Sequence, residues 1–261
     1  MDVRGQAGGA ELVDVGGRRL ECRWIDGDAA APALVFLHEG LGSVALWRDF
    51  PDRVAEVSGR RALVYSRFGH GASDLPDARR TIGFMHDEAV EVLPALLERF
   101  GLRDPVLVGH SDGGSIALIH AGRLDGVSGL VLLAPHVFVE DESIAGITAA
   151  REAFTDGGLA QRMARYHRDP EVTFRGWNDV WLDPQFRDWN IEDVLPGIAC
   201  PVLLIQGEDD QYGTLAQVAA IERGIPGAVE TVVLPCRHVP HAECPEETLA
   251  AVARFLGALP G

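Results

Sequence analysis

The sequence predicts an α/β protein with a mostly parallel, eight-stranded sheet, helices on both faces and an inserted helical cap. Short apolar runs rich in Val, Leu and Ile alternate with longer segments of helical period, a pattern typical of such a sheet. Gly16 and Gly17 separate the first two predicted strands and indicate an antiparallel hairpin. The strands are predicted at residues 10 to 15, 18 to 25, 33 to 38, 62 to 66, 105 to 110, 129 to 134, 201 to 206 and 230 to 235, and the helices at residues 44 to 58, 82 to 100, 112 to 123, 214 to 224 and 246 to 257.

The alternation stops between residues 137 and 195. This segment holds Trp177, Trp181 and Trp189, three of the five tryptophans, together with many charges and no strand-like run. A linker would be rich in Gly, Ser or Pro and would lack large aromatic side chains. We therefore predict an α/β core in two parts, residues 1 to 136 and 196 to 261, interrupted by a helical cap at residues 137 to 195.

Composition and charge limit the kinds of partner that the protein is expected to bind. The chain has 261 residues, 47% of them hydrophobic, which is enough for one large core, and its formal net charge of -16 argues against nucleic acid or an anionic membrane as partner. No signal-peptide pattern and no apolar run near the roughly 18 residues of a membrane helix is found. The four scattered cysteines predict reduced thiols. We expect a soluble, cytoplasmic protein with a small-molecule substrate, and an apolar cap surface would allow a homodimer.

A serine stands at the junction of a predicted strand and a predicted helix. Gly109-His110-Ser111-Asp112-Gly113 is a G-x-S-x-G pentapeptide in the context that gives this motif meaning. A strand that turns into a helix within two residues strains the central residue, and the flanking glycines remove Cβ atoms that would clash. The alternative is that Ser111 only caps the helix. A cap does not need glycine on both sides, so the pattern favours a nucleophile.

A serine nucleophile needs a base, and the base needs a group that orients it. Acidic residues 208 to 210 follow one predicted strand, and His238 follows the next. Both groups therefore lie at the carboxyl ends of parallel strands, where open α/β sheets bind ligands. The order serine, acid, histidine along the chain is the one expected with a G-x-S-x-G motif.

Five segments carry a family resemblance, namely VFLHEGLGS, YSRFGHGASD, GHSDGG, IQGEDDQYG and CRHVPHAECPEE. They resemble the oxyanion loop, the R-x-G-x-G-x-S turn, the nucleophile elbow, the acid turn and the histidine loop of the α/β-hydrolase fold family. The resemblance is in particular to its small capped members, such as esterases, C–C-bond hydrolases and non-haem haloperoxidases. The resemblance implies the α/β-hydrolase fold over nearly the whole chain.

The resemblance also implies roles for individual residues. Asp210, the third residue after the glycine of its turn, would be the acid, His238 the base and Ser111 the nucleophile, with His241 in a structural position. The oxyanion hole would consist of the backbone N–H groups of Asp112 and Gly40, with Leu41 as the alternative second donor, each donor being worth about 3 kcal/mol.

Two carboxylates are unusual next to an oxyanion hole. Glu39 stands where the family has glycine, and its carboxylate would oppose a developing negative charge unless it is held elsewhere by a donor. The alternative is an acid that contacts substrate or transfers a proton. Asp112 lies in the first turn of a helix, where the helix dipole stabilises a negative side chain. The predicted substrate contacts are Glu39, His110, Phe138, Trp177, Trp181, Trp189 and Tyr212.

These observations predict a cofactor-free serine hydrolase that cleaves a small ester, thioester or lactone through an acyl-Ser111 intermediate. The alternatives are a C–C-bond hydrolase, cofactor-free oxidation or perhydrolysis, and a receptor that turns over slowly. A more remote alternative is an NADP-binding oxidoreductase, because residues 40 to 45 fit G-x-G-x-x-A and Arg67 could meet a 2′-phosphate. The His and Cys residues between 236 and 244 lack an H-E-x-x-H helix, so we predict no metal site.

Overall fold

One eight-stranded sheet forms the centre of the protein in the computed structural model, which describes residues 9–259. The strand order is β1-β2-β4-β3-β5-β6-β7-β8. β1 pairs with β2 and β2 with β4 in antiparallel fashion, and every later pair is parallel. The strands are β1 Glu11–Val15, β2 Arg18–Ile25, β3 Leu34–Leu37, β4 Ala62–Ser66, β5 Val106–His110, β6 Gly129–Leu133, β7 Val202–Gly207 and β8 Val229–Leu234. The predicted mostly parallel, eight-stranded sheet is confirmed.

The first hairpin follows from its two glycines. Gly16 and Gly17 have φ values of 64° and 85°, a left-handed conformation that two-residue hairpin turns require and that glycine adopts without a Cβ penalty. Val15 pairs directly with Arg18 across this turn. The sheet therefore begins with the antiparallel pair that the sequence predicts.

The sheet has an apolar layer on each face. In β3 all four residues are fully buried, with Val35 and Leu37 in one hydrophobic cluster and Leu34 and Phe36 in the other. Alternate side chains of a strand point to opposite faces, so a strand covered on both sides reads as a continuous apolar run. The helices are α1 Phe50–Ser58, α2 Phe84–Asp87, α3 Leu93–Phe100, α4 Asp112–Arg123, α5 Asp141–Thr155, α6 Leu159–Met163, α7 Pro170–Trp181, α8 Leu215–Gly224, α9 Pro240–Glu243 and α10 Pro245–Ala258.

The helix predicted at residues 44 to 58 is in fact two elements, so that prediction is wrong. A 3-10 turn covers Val44–Trp47, and α1 begins at Phe50. Between them Arg48 has a φ of 54°, which ends the first turn. Pro51 stands in the first turn of α1, where a missing N–H costs nothing. The proline therefore marks a helix start inside the predicted helix.

The helix predicted at residues 82 to 100 is continuous but not regular. It begins at Phe84, widens into a π-helical segment over Glu88–Val92, and continues as α3. Pro94 has no N–H and cannot donate to the carbonyl four residues back. A π-helical turn directly before it accommodates that missing hydrogen bond. Glu88, the first residue of the π-helical segment, is buried.

Between β6 and β7 the chain forms the segment that the sequence analysis assigns to a cap. It contains α5, α6 and α7, followed by 3-10 helices over Pro184–Asp188 and Glu192–Gly197. The aromatic side chains of Phe174, Trp181 and Phe186 in this segment are almost completely buried. In residues 9–259 no helix combines the length and the apolar character needed to cross a membrane.

Candidate active site

Ser111 occupies a strained turn between β5 and α4. Its φ of 53° and ψ of -120° lie in a region that L-residues rarely adopt, and such strain concentrates at functional sites. A Cβ on Gly113 would overlap the carbonyl group of Leu37, and one on Gly109 would come within 2.7 Å of the Gly114 Cα. Ser111 makes no side-chain hydrogen bond to the start of α4. The helix-cap alternative for this serine is therefore wrong.

His238 joins the serine to an acid. Its Nε2 lies 2.9 Å from Ser111 Oγ, and its Nδ1 lies 2.8 Å and 2.9 Å from the two carboxylate oxygens of Asp210. A carboxylate only accepts hydrogen bonds, so Nδ1 carries the proton and Nε2 accepts from the serine hydroxyl. The three side chains come from the ends of β5, β7 and β8, which brings together the residues that the family resemblance implies.

The environment of Asp210 keeps it ionised. Burial would raise the pKa of this carboxyl, but the hydrogen bonds from His238 and from the backbone N–H of Tyr212 outweigh it and hold the pKa below its ordinary value. Gln206 Nε2 adds a donor at 2.7 Å and Tyr212 N–H one at 2.8 Å. The neighbouring Asp209 is exposed. Asp210 is thus the acid that contacts His238.

Two backbone N–H groups near Ser111 Oγ are unengaged. Within residues 9–259, neither the amide of Gly40 nor that of Asp112 has a hydrogen-bond acceptor. The amide of Leu41 instead donates to Glu39 Oε2 at 2.5 Å. Leu41 is therefore not the alternative second donor, because the Glu39 carboxylate already occupies its N–H. A Cβ on Gly40 would overlap the indole of Trp177, which explains a glycine here.

The carboxylate of Asp112 points away from the serine. It is fully buried, accepts a hydrogen bond from Trp181 Nε1 at 3.2 Å, and lies 3.8 Å from the Arg67 guanidinium. Burial raises the pKa of Asp112, and Arg67 and then Arg80 oppose that rise. The backbone and the side chain of Asp112 therefore face in different directions, and the carboxylate has its own cation.

Glu39 directly precedes Gly40 in the loop after β3. Its carboxylate accepts the Leu41 N–H, the arrangement that the donor-held interpretation predicts. Burial raises the pKa of Glu39, opposed by the Leu41 hydrogen bond and then by Arg67. Glu39 also lines the cavity beside Ser111. Its side chain therefore folds back on its own loop at the edge of the cavity.

A cavity of about 570 Å³ opens beside Ser111. Five of the seven predicted substrate contacts line it: Glu39, His110, Trp177, Trp181 and Tyr212. The predictions for Phe138 and Trp189 are wrong for this cavity. Phe138 is partly buried and packs against the larger hydrophobic cluster. Trp189 stacks on Phe186 with ring centroids 5.3 Å apart and lies 6.0 Å from the Trp181 ring. Both rings therefore serve packing.

Comparison with known proteins identifies the family. Residues 34–252 match the model of the alpha/beta hydrolase family. The chain belongs to the alpha/beta hydrolase family. It is 35% identical over 281 residues to the sn-1-specific diacylglycerol lipase ABHD11 of Mus musculus, covering 96% of this chain and 89% of the lipase. It is also 26% identical over 262 residues to a proline iminopeptidase of Lactobacillus delbrueckii subsp. bulgaricus, covering 85% and 88% of the two chains.

Solved structures show the same fold. The crystal structure of the enol-lactonase from Burkholderia xenovorans LB400 superposes with a TM-score of 0.74 at 22% identity, covering 95% of this chain and all of the lactonase. The family resemblance and the α/β-hydrolase fold inferred from sequence are thereby confirmed. The relatives named above are hydrolases, and this chain is a hydrolase enzyme.

Several residues around the site of this hydrolase were not predicted from sequence. His136, Trp47 and Phe50 line the cavity, and His241, for which the resemblance implies a structural position, lines it as well. Burial lowers the pKa of His136 to about 4 and that of His241 to about 3, so both rings are neutral near pH 7. The usable signal for His136 was its position directly after β6, at the same carboxyl edge as Ser111. For Trp47 and Phe50 the sequence contains no such signal, because it does not predict the interruption of the helix at Arg48.

His110 has a definite contact in addition to lining the cavity. Its Nε2 lies 2.8 Å from the carbonyl oxygen of His238 and donates to it. Burial lowers the pKa of His110 well below its ordinary value, so the ring is neutral. This hydrogen bond ties the end of β5 to the histidine loop.

The geometry does not favour the dinucleotide alternative. The Arg67 side chain is fully buried, so it is not available to a 2′-phosphate, and a short 3-10 turn rather than a long helix follows Gly42. Glu243 accepts the backbone N–H groups of Arg237 and Val239. Over the described part of the chain, no three His, Cys, Asp or Glu side chains are grouped to hold a metal ion.

Proposed function

We propose that this hydrolase cleaves small esters, thioesters or lactones through an acyl-Ser111 intermediate. The observation that carries the proposal is the position of His238, with Nε2 at 2.9 Å from Ser111 Oγ and Nδ1 at 2.8 Å from Asp210. These distances are within the reach required of a nucleophile, its base and the group that orients the base. The cavity opens on this serine.

The proposed reaction has two halves. His238 takes the Ser111 proton while Oγ bonds to the substrate carbonyl carbon, and the resulting oxyanion accepts hydrogen bonds from the Gly40 and Asp112 amides. His238 then returns the proton to the departing alkoxide or thiolate. A water molecule attacks the acyl-enzyme in the same way, His238 again accepting and returning the proton, and the acid leaves.

The size and the lining of the cavity support a small acyl substrate with an apolar acyl group. Leu46, Ile147, Val239 and the two tryptophans of α7 contribute apolar surface, and the charged residues Arg48, Asp49 and Arg53 line the cavity as well. Its 570 Å³ lies within the range of small-molecule sites. The relatives' names, a lipase and an iminopeptidase, support hydrolysis.

The test is a rapid-mixing experiment with p-nitrophenyl butyrate. We expect a burst of p-nitrophenol close to one equivalent of enzyme, and a gain of one butyryl group on Ser111 by mass spectrometry. Ser111→Ala should lack both the burst and the adduct, whereas the control Ser128→Ala, whose hydroxyl contacts the Asp104 carbonyl, should keep them. Full esterase activity in S111A would refute the proposal. Cleavage of a β-diketone without ester turnover would favour C–C-bond hydrolysis.

Two further expectations stay predictions. The four cysteines are free thiols, which fits the predicted cytoplasmic location, since reducing compartments keep thiols in that form. The predicted homodimer is tested by measuring the molar mass in solution at several protein concentrations.

A further inference from the structure

Arg67 lies beneath both donors of the oxyanion hole. It directly follows β4, and its side chain has no exposed surface. Its guanidinium Nη2 donates to the Glu39 carbonyl oxygen at 2.9 Å and lies 3.8 Å from Asp112 Oδ2. One fully buried cation thus contacts the oxyanion loop on one side and the residue after the nucleophile on the other.

The first contact acts on the peptide that carries the Gly40 donor. The Glu39 carbonyl and the Gly40 N–H belong to the same planar peptide group, so fixing the oxygen fixes the direction of the N–H. That oxygen also accepts from His38 Nδ1 at 2.7 Å and from the Gly42 amide at 3.1 Å. A cationic donor on the carbonyl also polarises the peptide and strengthens its N–H as a donor.

The second contact, between the Arg67 guanidinium and the Asp112 carboxylate, compensates a buried negative charge. A buried carboxylate beside a developing oxyanion opposes it strongly at low dielectric unless a cation compensates. Asp112 follows Ser111 directly, and Arg67 is the cation in ion-pair contact with it. Arg80 also lowers the pKa of Asp112, but its guanidinium donates to the Phe68 carbonyl at 2.7 Å. Arg67 is therefore the contacting counter-ion.

We propose that Arg67 is a positioning residue for the oxyanion hole: it orients the Glu39–Gly40 peptide and neutralises the Asp112 carboxylate, so that both N–H donors meet the transition-state oxyanion without a competing negative charge. This inference rests on the proposed acyl-Ser111 function. Arg67 itself is out of contact with the substrate, since the Glu39–Gly40 peptide and Asp112 lie between it and the cavity.

The test compares two buried arginines. Arg67→Met removes the charge at similar volume, and we expect kcat for p-nitrophenyl butyrate to fall by about 100-fold, with KM changed by less than about threefold. Affinity for an alkylboronic acid, which places an anionic oxygen near the hole, should fall by a similar factor. The control is Arg60→Met, because Arg60 is also buried and donates to the Pro32 and Leu256 carbonyls. It should lower the melting temperature but leave kcat within about threefold.

A double variant tests the counter-ion role and guards against misfolding. Arg67→Met combined with Asp112→Asn leaves no unpaired buried charge, so it should fold even if the single variant does not, with kcat about tenfold above that of a folded R67M and still below wild type. A folded R67M with kcat within about threefold of wild type overturns the proposal, as does a loss of kcat no greater than that of R60M. A double variant with wild-type kcat also overturns the proposal. A double variant no faster than R67M shows that Arg67 does not act as a counter-ion to Asp112.

S111A separates this inference from the proposed function. If S111A is inactive and R67M behaves like wild type, only the role of Arg67 is wrong. If S111A keeps full activity, the acyl-serine function fails and the inference fails with it.

Discussion

Gly40 carries one of the two proposed oxyanion donors and also leaves room for the indole of Trp177. A Cβ at this position would overlap the ring, so Gly40→Ala must displace either the tryptophan or the loop. Because catalysis at an oxyanion hole depends on donor geometry, we expect kcat/KM for p-nitrophenyl butyrate to fall by about 100-fold. The measurement is steady-state kinetics beside a melting curve, since the fold should survive the change.

Two variants show whether the clash causes that loss. Gly257→Ala places a Cβ in open space near the end of α10 and should leave kcat/KM unchanged. Combining Gly40→Ala with Trp177→Ala removes the overlap and should recover at least about tenfold in kcat/KM over G40A. No recovery in the double variant would contradict the steric explanation.

At the same scale, motifs with fixed spacing predicted single residues well, whereas spatial neighbours without a motif were missed. Ser111, Asp210 and His238 were named because each stands at a strand end within a recognisable pattern. His136, whose ring centroid lies 5.7 Å from that of His238, belongs to no such pattern. Its position depends on β6 lying next to β5, which only the folded sheet determines.

The helix α7 contributes two tryptophans to the wall of the cavity. Trp177 and Trp181 are four residues apart, so they lie on one face of the helix and both line the cavity. Trp177→Ala should open space for a longer acyl chain, at about 0.8 kcal/mol for each additional buried methylene. We expect the ratio of kcat/KM for p-nitrophenyl octanoate to that for butyrate to rise by about tenfold. The ratio is the readout, because it cancels any common effect on the oxyanion loop.

Trp189 provides the matched control for this prediction. It is a tryptophan of the same segment that stacks on Phe186 and does not line the cavity. Trp189→Phe should leave the octanoate to butyrate ratio at the wild-type value. If W177A also leaves it unchanged, α7 does not set acyl length. The sequence could not separate these tryptophans, since Trp189 lies beyond the end of α7 and helical periodicity does not extend to it.

Elements of the sheet were predicted more accurately than the helices around it. All eight strands appear within one residue of their predicted bounds. The five central strands, β3 to β7, are buried on both faces, and such a strand is a short apolar run between turns. Two predicted helices differ from the structure near prolines: Pro51 lies in the first turn of α1, inside the predicted helix, and Pro94 follows the π-helical segment. The hydrophobic pattern continues through a helix start or a π-helical segment, so the pattern does not reveal either feature.

On the scale of the whole molecule, the histidines couple folding to pH. Burial lowers the pKa of eight of the nine histidines, for His136 and His167 to about 4 and for His241 to about 3. In the unfolded chain a histidine has a pKa near 6.5. Between pH 6.5 and about 4 the unfolded chain therefore binds more protons than the folded protein.

The free energy of unfolding must therefore decrease as the pH is lowered through that window, because protons favour the state that binds more of them. Burial raises the pKa of Glu39, Glu88 and Asp112, and these carboxyls act in the opposite direction, since the folded protein then binds their protons first. Three such groups do not balance eight histidines. We expect the urea midpoint to drop steadily from pH 7 to pH 5. Each histidine that stays neutral in the folded protein should lower the free energy of unfolding by about 1.4 kcal/mol per pH unit once the pH is well below 6.5.

The control for this prediction is His120→Gln. His120 is buried against the Ala89 carbonyl away from Ser111, and burial lowers its pKa. Glutamine can also donate to that carbonyl but does not titrate, so the variant should lose stability less steeply between pH 7 and pH 5 than wild type. A wild-type urea midpoint that stays constant over this range would contradict the prediction. It would mean that the buried imidazoles are protonated in the folded protein as readily as in the unfolded chain.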